Sequence, residues 1–208
     1  MGRETAAVSG PQLILASASP RRFEILSRLT ASYRVIVADV DESPHNDERP
    51  VDYVRRLAEA KARTVAGPAT VVIGADTSVV VDDEILRKPT DSDDAREMLQ
   101  RLRARSHDVI SGVAVLATAA DSTERIAVGH EVSEVHVDDL SEARIEWYVA
   151  TGEPDDKAGS YGLQGSGGLF ADRVTGSVSN VIGLPLGLLD SLMTELGFDV
   201  VATEWATS

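Results

Sequence analysis

The sequence predicts a mixed α/β fold in a single domain with a cleft, and three observations predict it. Apolar and β-branched runs alternate with segments of helical spacing, and neither a repeat nor a composition shift marks a linker. At 208 residues, with 43% apolar and 26% charged side chains, the chain can bury one sizeable core and has ordinary globular composition. The first strand breaks at Ser17-Ala18-Ser19-Pro20 directly into helical spacing.

Gln12 to Ala16 (QLILA) reads as a buried strand. Apolar residues then recur at Phe23, Ile25, Leu26 and Leu29, with Ser19 placed to cap the helix and Pro20 at its first position. Tyr33 to Val37 reads as a second strand, leading into an acidic, proline-containing loop from Asp39 to Pro50. Asp52 to Ala66 is helical, with Val54, Leu57, Ala58, Ala62 and Val65 on one face. Thr70 to Val81 (TVVIGADTSVVV) is a strand, turned at Asp82-Asp83 into a return strand at Ile85-Leu86. Asp91 to Arg103 is a helix capped by Asp91 or Ser92, with Ala95, Met98, Leu99 and Leu102 inward. Strands over His107 to Thr118 and Arg125 to Val137 follow, then a helix from Ser141 to Ala150 and a glycine-rich stretch from Gly159 to Gly168. Two short strands are expected within Leu169 to Ile182, around Thr175-Gly176, and a last helix from Pro185 to Leu196. The domain is expected over residues 12–198, with 1–11 a disordered N-terminal tail and 199–208 a C-terminal tail.

Composition narrows the function. The absence of cysteine excludes a disulfide framework, a thiol nucleophile and thiolate metal sites, and it fits a reducing compartment. No stretch reaches the ~20 apolar residues of a bilayer span, and the first ten residues lack the apolar core of a signal peptide. A cytoplasmic protein is expected. A net charge of −14 disfavours nucleic acid and anionic membrane as partners. A small polyanion remains compatible if the few cations converge.

Three local anomalies suggest where they do. Arg21 and Arg22 stand in the first turn of a helix, where cations oppose the dipole unless an anion occupies the turn. Ser17 and Ser19 would donate to the same anion; a solvated arginine pair on a capped helix explains the segment equally well. Lys61 lies four residues after Leu57, beside the buried stripe, which fits either a functional lysine or one that snorkels to water. Asp76 is the strongest single residue, because a carboxylate inside VVIGADTSVVV needs a metal or a cation to stabilise it. Gly74 nearby permits close backbone approach. Glu42 reads as a metal ligand or a loop carboxylate, and Lys88 before Pro89 is equally open. The stretch from Asp155 to Gly165 matches neither glycine-rich phosphate motif, and the four histidines show no metal or triad spacing.

Taken in order, LILASASPRR, Asp41-Glu42, YVRRLAEAKA, VIGADT, ILRKP, DKAGSYGLQG and NVIGLPL resemble the Maf family of nucleoside triphosphate pyrophosphatases, from about Leu13 to Phe198. The resemblance implies a two-lobed fold with an elongated mixed sheet, similar to the inosine triphosphate pyrophosphatases. It implies hydrolysis of a nucleoside triphosphate to the monophosphate and pyrophosphate, a house-cleaning activity on the nucleotide pool, and a homodimer. Asp76 matches the family's general base, and Ser17, Arg22, Glu42, Lys61 and Lys88 its other active-site positions. Arg21, Thr77 and Gln164 fall where substrate preference is set, and this triplet resembles the subgroup acting on dTTP, UTP and modified pyrimidine triphosphates. The implied cofactor is a divalent cation (Mg²⁺, with Mn²⁺ or Co²⁺ as alternatives) held by Glu42, Asp76 and phosphate oxygens. Arg87 departs from the family pattern, which has a small residue there. A purine-directed pyrophosphatase and a nucleotide-binding regulator of septum formation are the competing readings.

Overall fold

The computed structural model describes residues 10–206. Its centre is one seven-stranded mixed sheet, ordered β2-β1-β3-β5-β6-β7 with β4 also paired to β3. The strands are β1 (Gln12–Ala16), β2 (Arg34–Val35), β3 (Thr70–Val81), β4 (Glu84–Leu86), β5 (Arg105–Thr118), β6 (Glu124–Val137) and β7 (Ala171–Thr175). The helices are α1 (Pro20–Ser27), α2 (Pro50–Val65), α3 (Ser92–Leu102), α4 (Glu142–Val149), α5 (Val178–Ile182) and α6 (Leu186–Glu195). Three short 3₁₀ turns lie between α4 and β7, within residues 153–169.

β1 is parallel to both β2 and β3, whereas β3, β5, β6 and β7 run antiparallel in succession. Asp82 and Asp83 both adopt positive φ, 52° and 62°, as a two-residue turn between twisted antiparallel strands requires.

The alternation of β3 separates two layers of core. Its residues Val71, Ile73 and Ala75 join α1, α6 and β5 in one apolar cluster. Further along the same face, Val79 and Val81 join α3, α4 and β6 in a second. Between them stand Thr77 and its register partner Ser111, both polar. On the opposite face α2 covers the sheet, and Asp76 and Ser78 separate Val72 from Val80. The two expected lobes are therefore two apolar clusters on a shared sheet, divided where the sequence of β3 turns polar.

Two glycines set the distance of α2 from the sheet. A Cβ at Gly74 would lie 2.1 Å from the Ala58 carbonyl oxygen, and one at Gly112 would lie 2.3 Å from that of Val54. Only a residue without a side chain lets the helix backbone approach so closely.

Three expectations are corrected. The second strand is confined to Arg34–Val35, a two-residue edge exposed on both sides, rather than the whole of 33–37. The second of the two strands expected within 169–182 is the helix α5. Gly176, at φ 120°, turns the chain, the Ser177 side chain accepts from Asn180 N, and buried Asn180 donates through Nδ2 to Val109 O and Ser133 Oγ at 2.9 Å each. Those bonds outweigh the strand preference of Val178, Val181 and Ile182. The segment expected as a C-terminal tail packs on the core instead: Val200 and Trp205 are buried in the first apolar cluster. Trp205 Nε1 donates to Val200 O, and Ala206 N donates to Pro11 O, which ties residues 10–11 to the same place. The expected N-terminal tail otherwise falls on residues 1–9, which, with 207–208, lie outside the described residues.

Candidate active site

The site begins as a gap in sheet pairing. β1 follows β3 only as far as Ala16 opposite Gly74, and β4 takes up the same edge at Leu86 opposite Val79. Residues 75–78 thus have no strand on that side, and the sheet opens beyond the carboxyl end of β1, where α/β proteins place ligands. A cleft of about 670 Å³ lies there, lined from α1, α2, β3, β4 and the glycine-rich segment. Asp76 and Thr77, adjacent in sequence, project to opposite sheet faces within it.

On the α2 face, Lys61 Nζ lies 2.7 Å from Asp76 Oδ1 and 2.6 Å from Glu42 Oε1. Asp76 and Lys61 are both buried, while the Glu42 side chain is about half exposed. Burial pushes the Asp76 carboxyl above its ordinary range, against the opposing charges of Lys61 and Arg22. Burial also raises Glu42, but there the Lys61 bond and charge prevail and leave it lowered. Tyr53 positions the loop that carries Glu42 by donating its hydroxyl to the Glu42 carbonyl at 2.8 Å.

On the other face, α1 starts at the gap. Ser19 caps it, accepting from Arg22 N, and Ser19 N donates to Ser17 Oγ at 3.1 Å. Arg22 is buried: Nε donates to Gly183 O at 2.7 Å, Nη1 to Ser17 Oγ at 3.3 Å and Nη2 to Thr77 Oγ1 at 2.9 Å. Thr77 Oγ1 lies 2.8 Å from Ser111 Oγ, which donates to Asn180 O at 3.0 Å. The chain Arg22, Thr77, Ser111, Asn180 therefore fixes at the floor of the cleft a guanidinium that has no carboxylate partner among the described residues.

Two contacts bridge α1 to the glycine-rich segment. Arg21 Nη1 lies 3.3 Å from Asp156 Oδ2, and Gln164 Nε2 lies 3.4 Å from Glu24 Oε2. Lys157 donates to Asp156 Oδ1 and to Glu153 O. Lys88 lines the cleft at the end of β4, where its charge acts on Glu42.

The ten site residues singled out in the sequence, Ser17, Ser19, Arg21, Arg22, Glu42, Lys61, Asp76, Thr77, Lys88 and Gln164, thus all line one cleft. Tyr53, Ser111 and Gly183 are additional. Ser111 had a sequence signal, a hydroxyl interrupting an apolar strand as Asp76 does. Gly183 contributes only a carbonyl, which leaves no mark in a side-chain pattern.

The family described as Maf-like protein matches residues 12–196. This chain belongs to the Maf family. Among Maf relatives, the dTTP/UTP pyrophosphatase of Anaeromyxobacter dehalogenans is 48% identical over 193 residues, 90% of this chain and 95% of that protein. The dTTP/UTP pyrophosphatase of Dictyoglomus thermophilum is 44% identical, covering 91% and 98% of the two chains. Among solved structures, the Staphylococcus aureus Ham1 protein overlaps in part, with a TM-score of 0.39 at 16% identity, over 60% of this chain and 71% of that one.

Proposed function

We propose that this Maf protein hydrolyses nucleoside triphosphates, dTTP and UTP foremost and modified pyrimidine triphosphates with them, to the monophosphate and pyrophosphate. The carrying observation is Asp76: a buried carboxylate, raised in pKa, at the one stretch of β3 left open by its neighbours. A carboxylate so placed is a stronger base than one in water. The names of the relatives support the pyrimidine substrates.

The donor chemistry fits a hard divalent cation. Glu42 and Asp76 each bind Lys61 through one oxygen, and the second oxygen of each has no hydrogen-bond partner among the described residues. Two carboxylates, with phosphate and water completing the shell, are what Mg²⁺ commonly takes. Bound there, such an ion supplies neutralisation of phosphate charge.

The chain's own groups account for the rest. Asp76 accepts a proton from a water that attacks the α-phosphorus, and the bond from that phosphorus to the bridging oxygen of the β-phosphate breaks. Arg22, Lys61, Lys88 and the N–H groups opening α1, with Ser17 and Ser19, stabilise the charge gathering on the departing pyrophosphate. Arg21, Thr77 and Gln164 carry substrate choice, with Thr77 acting through its bond to Arg22. A homodimer and a cytoplasmic setting belong to the same proposal; among the described residues, no helix is long and apolar enough to cross a membrane.

The test is a panel of pyrimidine and purine triphosphates with Mg²⁺, Mn²⁺ or Co²⁺, scored for each product. Pyrophosphate and monophosphate in equal amounts, fastest from dTTP and UTP, is expected. Release of orthophosphate alone refutes the bond assigned, preference for purines refutes the substrate, and binding without turnover refutes the enzyme.

A further inference from the structure

Six basic side chains line the cleft, and their surroundings differ. Arg22 donates to a carbonyl and two hydroxyls, Lys61 lies between two carboxylates, and Arg21 and Lys157 both meet Asp156. Arg87 and Lys88 are exposed, and among the described residues neither side chain has a hydrogen bond or an ion pair. In a chain with 34 acidic residues and 20 Lys and Arg, two adjacent cations without an acid partner are unusual.

The Arg87 backbone is anchored at its carbonyl. Arg87 directly follows β4, and its carbonyl accepts from Gly159 N at 3.1 Å. Ile85 packs on the α2 face beside Tyr53 and Val54. Two residues further along extended chain, Arg87 comes to that face as well, and its charge acts on the Tyr53 hydroxyl. It is the face from which Asp76, Lys61 and Glu42 open into the cleft, and Lys88 acts on Glu42 from the same end.

We infer that Arg87 is a second pyrophosphate-binding cation beside Lys88, holding the β- and γ-phosphates of the substrate and the pyrophosphate that leaves. This rests on the function proposed above. The cations deeper in the cleft are already engaged by protein groups, so the most highly charged end of a triphosphate is best met by the pair whose donors are all unused. A planar guanidinium binds two oxygens of one phosphate at once, and a lysine supplies a point charge beside it. Because substrate and product present the same two phosphates, Arg87 binds both, and its loss falls on KM more than on kcat.

The experiment titrates inorganic pyrophosphate, with Mg²⁺, into wild type, Arg87→Ala and Arg87→Lys by calorimetry, and follows dTTP turnover with pyrophosphate as inhibitor. Arg87→Ala is expected to weaken pyrophosphate binding roughly five- to tenfold, the effect of one charge-assisted contact at an open site, and to raise KM by a similar factor. Arg87→Lys should recover part of the loss, and dTMP binding should not change in either variant. Equal pyrophosphate affinity in wild type and Arg87→Ala, with wild type still releasing pyrophosphate, overturns this inference alone. A wild type that releases only orthophosphate overturns both it and the proposed function.

Discussion

At Asp76 the chemistry and the burial are one fact. Lifting a carboxyl out of water raises its pKa, and a raised pKa makes the ionised form a better proton acceptor. The proposed mechanism requires that ionised form, so kcat/KM is expected to rise with pH to a plateau, with its acid limb above the usual aspartate range. Asp76→Asn should lower kcat by about 10²- to 10⁴-fold while retaining nucleotide binding; near-wild-type turnover in a stopped assay would remove Asp76 from its role. The carboxylate was legible in the sequence because it interrupts an apolar run. Its partner was not, since helical spacing places Lys61 only at the edge of a stripe, and snorkelling to water fits that position as well. His107 supplies a stability counterpart. It is buried, bonded through Nε2 to Tyr161 Oη at 2.7 Å, with no partner for Nδ1 among the described residues, and burial pushes its pKa from 6.5 down to about 4. The unfolded chain therefore takes up a proton before the folded one does. Stability is complete above pH 6.5 and falls as pH drops toward about 4. Between pH 7 and pH 5 this one group should cost about 2 kcal/mol. Urea unfolding at both pH values should show that loss in wild type and little of it in His107→Gln, which keeps a polar partner for Tyr161.

At the scale of elements, α2 and β3 make the site by standing unusually close. Gly74→Ala would force the helix away, since the new methyl carbon meets backbone at Ala58 rather than a side chain that can turn aside. Overpacking of this kind typically costs about 1–3 kcal/mol. Because Lys61 rides on the same helix, the loss of kcat should exceed what the lost stability explains, measured on protein shown by circular dichroism to be folded. Full activity in a folded Gly74→Ala protein would show that the spacing of α2 does not set the Lys61–Asp76 pair. The element that sequence patterns misassigned, α5, teaches the complementary lesson. Val178, Val181 and Ile182 carry strand preference, but the Ser177 cap and the buried Asn180 bonds to β5 and β6 select a helix. Those bonds lie 47 and more residues away in sequence, beyond the reach of any local pattern.

Across the whole molecule, the charge is uneven in a way that matters for a polyanion. The chain carries −14, yet six basic and three acidic side chains line the cleft. Field lines from the acidic surface oppose approach, and those of the cleft favour docking; salt weakens both, the exposed surface more than the buried floor. The exposed part of the cleft attraction, at Arg87 and Lys88, is the part salt reaches. KM for dTTP is therefore expected to rise between 50 mM and 500 mM KCl, while the rate at saturating substrate changes less. A KM that stays level or falls would mean that surface repulsion dominates. Residues 199–206 are too short to carry a periodicity that marks them as core, yet Val200 and Trp205 are buried in the first apolar cluster.

The sequence by itself determined the order of strands and helices apart from α5, the break after the first strand, and the carboxylate lodged in the third. It also determined family membership, because seven short motifs in fixed order survive where no single one is decisive. Those features are local or serial, and a linear string carries them. Only the tertiary structure decided that Lys61 bridges Glu42 and Asp76, that Thr77 and Ser111 support Arg22 from behind, and that β3 lacks a strand on one edge beside Asp76. Each depends on strand register and on the approach of α2 to the sheet, which are set by packing between segments distant in sequence.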